Sequence, residues 1–251
     1  MDFVKMEGLG NDFIVIEGPE PTVAQIAQWC DRRTGVGADG VLRVSAPTDH
    51  GAAIRMQYWN ADGSIAEMCG NGLRCVAQYA HDRGMTAGHS FSIETLGGRN
   101  RANVLEDGQV RVELGPFEVQ DVLEVDGLQY RRVSVGNPHA VVFVDEPEEA
   151  PVLTTGPKME HHPEFPNGVN VEFAAIEDGA LRIRVWERGA GETRACGTGA
   201  AAVVAAASAE GDVATSTTVD LPGGRLYVEL LDGVAWITGP ANVVFTGKLE
   251  A

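Results

Sequence analysis

Met68-Cys69-Gly70-Asn71-Gly72 returns, half a chain later, as Ala195-Cys196-Gly197-Thr198-Gly199. A tryptophan stands ten residues before each cysteine, Trp59 in the first case and Trp186 in the second. Moving outward from these stretches, Gly10-Asn11 falls on Gly136-Asn137, Arg55 on Arg182, and Gly97-Gly98 on Gly223-Gly224. Asp107-Gly108 lies near Asp232-Gly233, and Gly115-Pro116 near Gly239-Pro240. The matches keep one order at an offset of about 126 residues, which marks two copies of one structural unit. They are weakest over residues 18–50 and 145–170, where the copies must differ.

Both copies read alike. A strand is expected over 13–16 and again over 140–144. An alternating strand follows over 53–59 and 181–186. After a polar loop comes the Cys-Gly-x-Gly turn, then a helix over 73–83 or 200–210. The second helix is nearly all Ala and Val, so it should be buried on every side. Further strands turn at the Gly-Gly and Asp-Gly pairs. A helix over 23–32 reads as an amphipathic extra in the first half. The fold class is therefore α+β: two pseudo-symmetric halves from internal duplication, each a strand-rich barrel around a central helix. The first half spans 1–116, completed by the C-terminal segment 241–251, and the second spans 117–240. The segment 242–249 should cross back to the first half.

Composition excludes several function classes. The 251 residues are 44% apolar, enough for real cores. No apolar run approaches a membrane span, and the first residues lack a basic patch followed by an apolar stretch, so a cytoplasmic location is expected. The net charge is −17 and Lys occurs only at positions 5, 158 and 248, which argues against nucleic acid as a partner. The acidic excess gives solubility and self-repulsion, or reflects a salt-adapted surface. Four cysteines without a CxxC pair do not suggest zinc or a disulfide framework.

Cys69 and Cys196 each precede a helix and sit beside two glycines. A helix N-terminus carries N–H groups without intrahelical acceptors and a partial positive charge. Two effects are expected: a lowered thiol pKa, and a place for a carboxylate on the backbone. One cysteine of this kind is more often structural than catalytic, but two at equivalent places point to function. Inverting a carbon next to a carboxylate needs a base on one face and an acid on the other, and two thiols of matched pKa serve in either direction. Cys30 and Cys75 have no repeat partner and read as core thiols.

The longer motifs resemble those of the diaminopimelate epimerase family. They are Gly8-Leu9-Gly10-Asn11-Asp12-Phe13; Asn60-Ala61-Asp62-Gly63-Ser64 with Met68 to Cys75; Gly136-Asn137-Pro138-His139; Asn167-Gly168-Val169-Asn170-Val171; and Glu187-Arg188-Gly189-x-Gly191-Glu192-Thr193 with Ala195 to Gly199. The resemblance covers nearly the whole chain. It implies a cofactor-independent isomerase that interconverts L,L- and meso-diaminopimelate in lysine and cell-wall precursor synthesis. No metal, pyridoxal phosphate or other cofactor is implied. The partner would be a small-molecule substrate, with no nucleic acid or membrane, and the assembly a homodimer. Cys69 and Cys196 would be the acid–base thiols, with His139 and Glu187 supporting the reacting centre. Gly70-Asn71 and Gly197-Thr198 would supply backbone donors to the reacting carboxylate. Asn11, Asn60, Asn170, Glu187 and Arg188 would bind the rest of the substrate, Arg188 gripping the distal carboxylate, and Asn137 would bind at and support the reacting centre.

Two departures stand out. The family's usual Lys-Met-His-Gly start is Lys5-Met6-Glu7-Gly8 here, and no ligand is assigned to Gly37-Ala38-Asp39-Gly40, where some members place a Gln. Two other functions fit the same residues: a two-cysteine racemase acting on another amino acid such as histidine or proline, and a fold relative with only an isomerase or binding role. Asn60, Asn170 and Arg188 favour a substrate with a second zwitterionic head, which proline lacks.

Overall fold

The computed structural model describes residues 1–250. In chain order the elements begin β1 (Asp2–Gly8), β2 (Asn11–Glu17), α1 (Val23–Cys30), β3 (Gly40–Ser45), β4 (Ile54–Asn60), β5 (Ile65–Ala66), α2 (Gly70–Asp82), β6 (Ser90–Thr95), β7 (Gly98–Val104) and β8 (Val110–Pro116). They continue with β9 (Glu118–Val125), β10 (Leu128–Ser134), β11 (Pro138–Phe143), α3 (Val152–Glu160), β12 (Asn170–Glu177), β13 (Ala180–Glu187) and β14 (Gly191–Thr193). The last are α4 (Gly197–Glu210), β15 (Ser216–Leu221), β16 (Gly224–Leu231), β17 (Val234–Gly239) and β18 (Asn242–Lys248). Two compact units result. One joins Met1–Val112 to the segment from Gly239 onward; the other is Glu113–Thr238.

The same pairing scheme runs through each unit. In the first, β18 pairs antiparallel with β1 and β1 with β2, β2 runs parallel to β3, β3 is antiparallel to β4, and β4 is parallel to β6. In the second, β9 pairs with β10 and β10 with β11, β11 is parallel to β12, β12 is antiparallel to β13, and β13 is parallel to β15. β18 thus does for the first unit what β9 does for the second. The strand that flanks the opening hairpin comes from just upstream in one copy and from the chain end in the other. Both flanking pairs even carry a register shift, at Lys5/Met6 and at Arg131/Val133.

Burial follows from this layering. α2 packs against β1, β2, β3, β4 and β7, and α4 against β9 through β13, β15 and β16, so each is enclosed by strands. Along α4 the residues from Ala200 to Ala207 are all buried, and its small side chains let the strands close around it. β2 and β11, each paired to a parallel strand, are covered on both faces, which explains their unbroken apolar runs, 13–16 and 140–142. Outside β2 and β3, α1 contributes Ile26, Trp29 and Cys30 to a core with Ile14, Ile16 and Val41. Outside β12, α3 contributes Val152 and Met159 to a core with Phe173 and Val171.

α1 is therefore not an extra of the first half. α3 is its counterpart, and it escapes a sequence reading because Thr154, Thr155, Gly156 and Pro157 are poor helix formers at its centre. The central helices also begin three residues earlier than expected, because the cysteine thiols cap them.

Glu7, the departure at the first motif, has a structural task. Leu9 and Gly10 both take positive φ, 59° and 82°, in the two-residue turn from β1 to β2. Such a turn matches the strand twist but leaves a backbone donor to be satisfied. Glu7 Oε2 accepts the Gly10 N–H at 2.8 Å, and its Oε1 accepts from Asn242 Nδ2 on β18 at 2.6 Å. We expect Glu7→Ala to cost about 1 kcal/mol, lowering the thermal midpoint by about 3 °C, with Glu7→Gln milder. Calorimetry checks this, and an unchanged midpoint in Glu7→Ala would remove the capping role.

Candidate active site

In the first unit, Cys69 is the N-cap of α2, with extended backbone at φ −143° and ψ 120°. Its Sγ accepts the Gly72 N–H at 3.4 Å and lies 3.8 Å from Asn11 Oδ1, which can accept the thiol hydrogen. A directed chain of hydrogen bonds sets the neighbouring amides. Arg74 Nη2 donates to Asn71 Oδ1 at 3.0 Å, Asn71 Nδ2 donates to Asn11 Oδ1 at 3.1 Å, and Asn11 Nδ2 donates to Asp39 Oδ2 at 2.9 Å. Asp39 is held in turn by Arg32 at 2.7 Å. Asp12, next to Asn11, lies 2.6 Å from both Lys5 and Arg32. Burial alone would raise its pKa, but hydrogen bonds from Arg32 and Lys5 prevail and hold the carboxyl well below its usual range.

Arg74 is fully buried. Its polar contacts are the Asn71 side chain and the Pro240 carbonyl, while Nη1 finds no hydrogen-bond acceptor. Burial lowers its pKa, yet a guanidinium stays protonated. A fixed positive charge therefore faces the start of α2, where it interacts with Cys75, Cys69 and Glu7.

In the second unit, Cys196 is the N-cap of α4 and is 4% exposed. Its Sγ accepts the Gly199 N–H at 3.3 Å and lies 3.5 Å from Thr198 Oγ1. The thiol also hydrogen-bonds the Glu187 carboxylate, whose other partner is the Thr193 hydroxyl. Asn137 Nδ2 donates to Thr198 Oγ1 at 3.3 Å, and Asn137 Oδ1 is 3.0 Å from His139 Nε2. His139, Glu187, Asn137, Thr198 and Cys196 thus form one cluster.

The expected lowering of both thiol pKa values does not hold at Cys196. Burial pushes this thiol well above its ordinary value, and the Glu187 and Glu172 carboxylates add to the effect. The hydrogen bonds from Thr198 and the Gly199 amide work the other way but are outweighed. Glu187 is itself raised, mainly by burial. Cys30 and Cys75 are buried, and burial raises them to about 11 and about 12, values that suit core thiols.

The remaining candidates lie at strand ends. Asn60 ends β4, as Glu187 ends β13, and its Nδ2 donates to Ser64 Oγ at 2.9 Å. Asn170 is buried, and both ends of its amide are engaged: Nδ2 donates to the Pro138 carbonyl at 3.0 Å, and Oδ1 accepts the Arg188 N–H at 2.9 Å. It braces the turn that carries Arg188. The Arg188 guanidinium is exposed and touches the Asn167 carbonyl at 3.2 Å, leaving most of its donors turned to solvent. Asp39 and Glu172 were not singled out by sequence. Both sit on or beside parallel strands whose other side chains are core residues. Among the described residues, no group of three or more His, Cys, Asp or Glu side chains could hold a metal ion, and no helix is long and apolar enough to cross a membrane.

Comparison with known proteins identifies the family. The model of the family described as "Diaminopimelate epimerase" matches residues 3–119 and 131–244. A protein named diaminopimelate epimerase from Pseudomonas entomophila is 45% identical over 99% of this chain and 98% of its own length. One of the same name from Thioalkalivibrio sulfidiphilus is 44% identical over 100% and 99%. Solved structures with the same fold include a probable proline racemase from Agrobacterium radiobacter, with a TM-score of 0.77 at 18% identity, covering 99% of this chain and 92% of that one. A phenazine biosynthesis protein of the PhzF type from Bacillus anthracis gives 0.78 at 17% identity, covering 100% and 99%. Near-full-length identity at this level, joined to a capping cysteine at the head of each enclosed helix, places the chain in the diaminopimelate epimerase family.

Proposed function

We propose that this chain interconverts L,L- and meso-diaminopimelate, with Cys69 and Cys196 as its two acid–base groups. The observation that carries the reading is the pair of thiols at equivalent N-caps, each accepting the third N–H of its helix through sulfur. A thiolate on one face of the α-carbon takes the α-proton, and the electron pair moves into the carboxylate. The thiol on the other face then delivers its proton to the carbanion. The configuration is inverted, and the two sulfurs have exchanged protonation states. Each step leaves the atom count unchanged and needs no redox partner. The N–H groups of Gly70-Asn71 and Gly197-Thr198, at positively polarised helix ends, suit the charge that develops on the carboxylate.

The environments of the thiols support unlike resting states. Cys69 has the buried Arg74 cation as a counter-charge when ionised. Cys196 is enclosed with two carboxylates and keeps its proton. For the rest of the substrate, Arg188 offers a planar fork to a second carboxylate, and Asn60 offers an amide. We also read the chain as a homodimer, a reading supported by exposed Val243, Val244 and Phe245 on β18, which pairs along β1.

Purified protein without added cofactor should convert L,L-diaminopimelate to the meso form. Cys69→Ser and Cys196→Ser should each lower kcat by at least about 10²-fold, the scale of a positioned acid or base, while keeping the wild-type circular dichroism. Full turnover in either variant would remove the mechanism. A pH test follows from the raised Cys196 thiol. In a Cys69→Ser background, iodoacetamide should still alkylate Cys196 slowly at pH 8.5, where a free thiol of pKa about 8.5 is half ionised. Its rate should keep rising above pH 9. A plateau below pH 8.5 would contradict the burial argument.

A further inference from the structure

The two units differ at one pair of core positions. β2 runs parallel to β3 with Phe13 opposite Gly40, and β11 runs parallel to β12 with His139 opposite Asn170. In this alignment Phe13 corresponds to His139 and Leu42 to Glu172. The helix glycines agree with it: a Cβ on Gly72 would meet Leu42 Cδ2 at 3.0 Å, and one on Gly199 would meet Glu172 Oε1 at 2.8 Å. Phe13 and Leu42 are wholly buried hydrocarbon, whereas His139 and Glu172 are a buried polar pair, 1% and 0% exposed. The fold itself accommodates an apolar pair at these positions, so it does not require the polar one.

The geometry ties this pair to Cys196. His139 Nδ1 lies 2.7 Å from Glu172 Oε1, and Nε2 lies 3.0 Å from Asn137 Oδ1. The Asn137 amide is oriented by its donation to Thr198 Oγ1, so its oxygen faces the ring and Nε2 must carry a hydrogen. One hydrogen is then shared between Nδ1 and Oε1. Glu172 Oε2 is buried without a hydrogen-bond partner, which leaves the carboxyl anchored through Oε1. The opposite polarity obtains in the first unit. There Asn11, the counterpart of Asn137, turns its oxygen to the cysteine turn because Asp39 takes its Nδ2.

We propose that Glu172 is a positioning residue of the reaction. It fixes the His139 ring so that Nε2–H holds Asn137 with its amide donor toward Thr198 and the Cys196 turn. This keeps the Asn137 donor on Thr198 at the head of the second cysteine's turn, and it rests on the reading of Cys196 as an acid–base group.

Three variants test it: Glu172→Leu, Glu172→Gln, and the double variant His139→Phe/Glu172→Leu, which copies the first unit's own pair. Glu172→Leu should lower kcat by about 10²-fold, a part of what a positioned acid–base group supplies, with KM changed less than about 3-fold, as expected when only transition-state interactions are lost. Glu172→Gln can still donate to Nδ1 and should recover at least about 10-fold of that loss. The double variant should fold with a thermal midpoint no lower than wild type, since buried polar pairs are often replaced by apolar ones without loss, and should be inactive. A kcat within about 2-fold of wild type in Glu172→Leu, or a Gln variant no better than the Leu variant, would overturn the proposal. So would a double variant that fails to fold, because the pair would then be a packing requirement. Cys196→Ser, measured alongside, separates the two readings: if it retains turnover the thiol assignment fails, and if it is inactive while Glu172→Leu is not, only the role of Glu172 fails.

Discussion

A thiol that caps a helix enclosed by strands is the constraint on which the rest of this structure depends. The N-cap residue must be extended, must offer an acceptor to the third N–H, and must leave the first amides of the helix facing outward. Cys69 and Cys196 meet these conditions through sulfur, a weaker acceptor than the oxygen of Ser or Asp. A cap chosen for stability alone would use oxygen. Sulfur in that place suits the proposed acid–base role, since the same atom can take and return a proton next to backbone donors. Glycine at 72 and 199 then follows: a Cβ on Gly199 would meet Glu172 Oε1 at 2.8 Å and press on the Cys196 sulfur, and one on Gly72 would press on Leu42.

Duplication supplies a symmetric frame, and a few substitutions break the symmetry. Arg74, a buried cation at the head of α2, corresponds to Ala201 in α4, while Leu42 on β3 corresponds to Glu172 on β12. The first cysteine therefore has a fixed positive charge beside it that the second lacks, and the second has a buried polar pair where the first has hydrocarbon. Neither residue is needed for its strand or helix to form, since the other copy builds the same element without it. A reaction that must start with one sulfur ionised and the other protonated has use for such a bias, because two identical turns would leave the assignment to chance.

Much of this was legible in the sequence because the decisive features are short and repeated. The Cys-Gly-x-Gly turns, the Trp spacing and the all-Ala/Val helix locate the two central helices without reference to contacts. Asn11, Asn71, Asn137, Thr198, His139 and Glu187 stand in motifs beside those turns, and the fold brings them to the cysteines within their own units. Three things were hidden, each for a physical reason. α3 is held by burial of Val152 and Met159 against its propensity. The rise of the Cys196 pKa depends on enclosure, which local sequence does not display. Asp39 and Glu172 act across parallel strands, and their partners lie roughly 28 and 33 residues away, beyond any local pattern.

The central claim is that two separate groups handle the α-proton, one on each face. The direct measurement is early-time deuterium labelling: L,L-diaminopimelate is incubated with the protein in D₂O, quenched after a few per cent conversion, and both isomers are examined by NMR. With two thiols, deuterium appears at the inverted carbon of the meso product, while the remaining L,L substrate keeps its hydrogen. Equal early label in product and recovered substrate would show a single group working both faces, and would contradict the account.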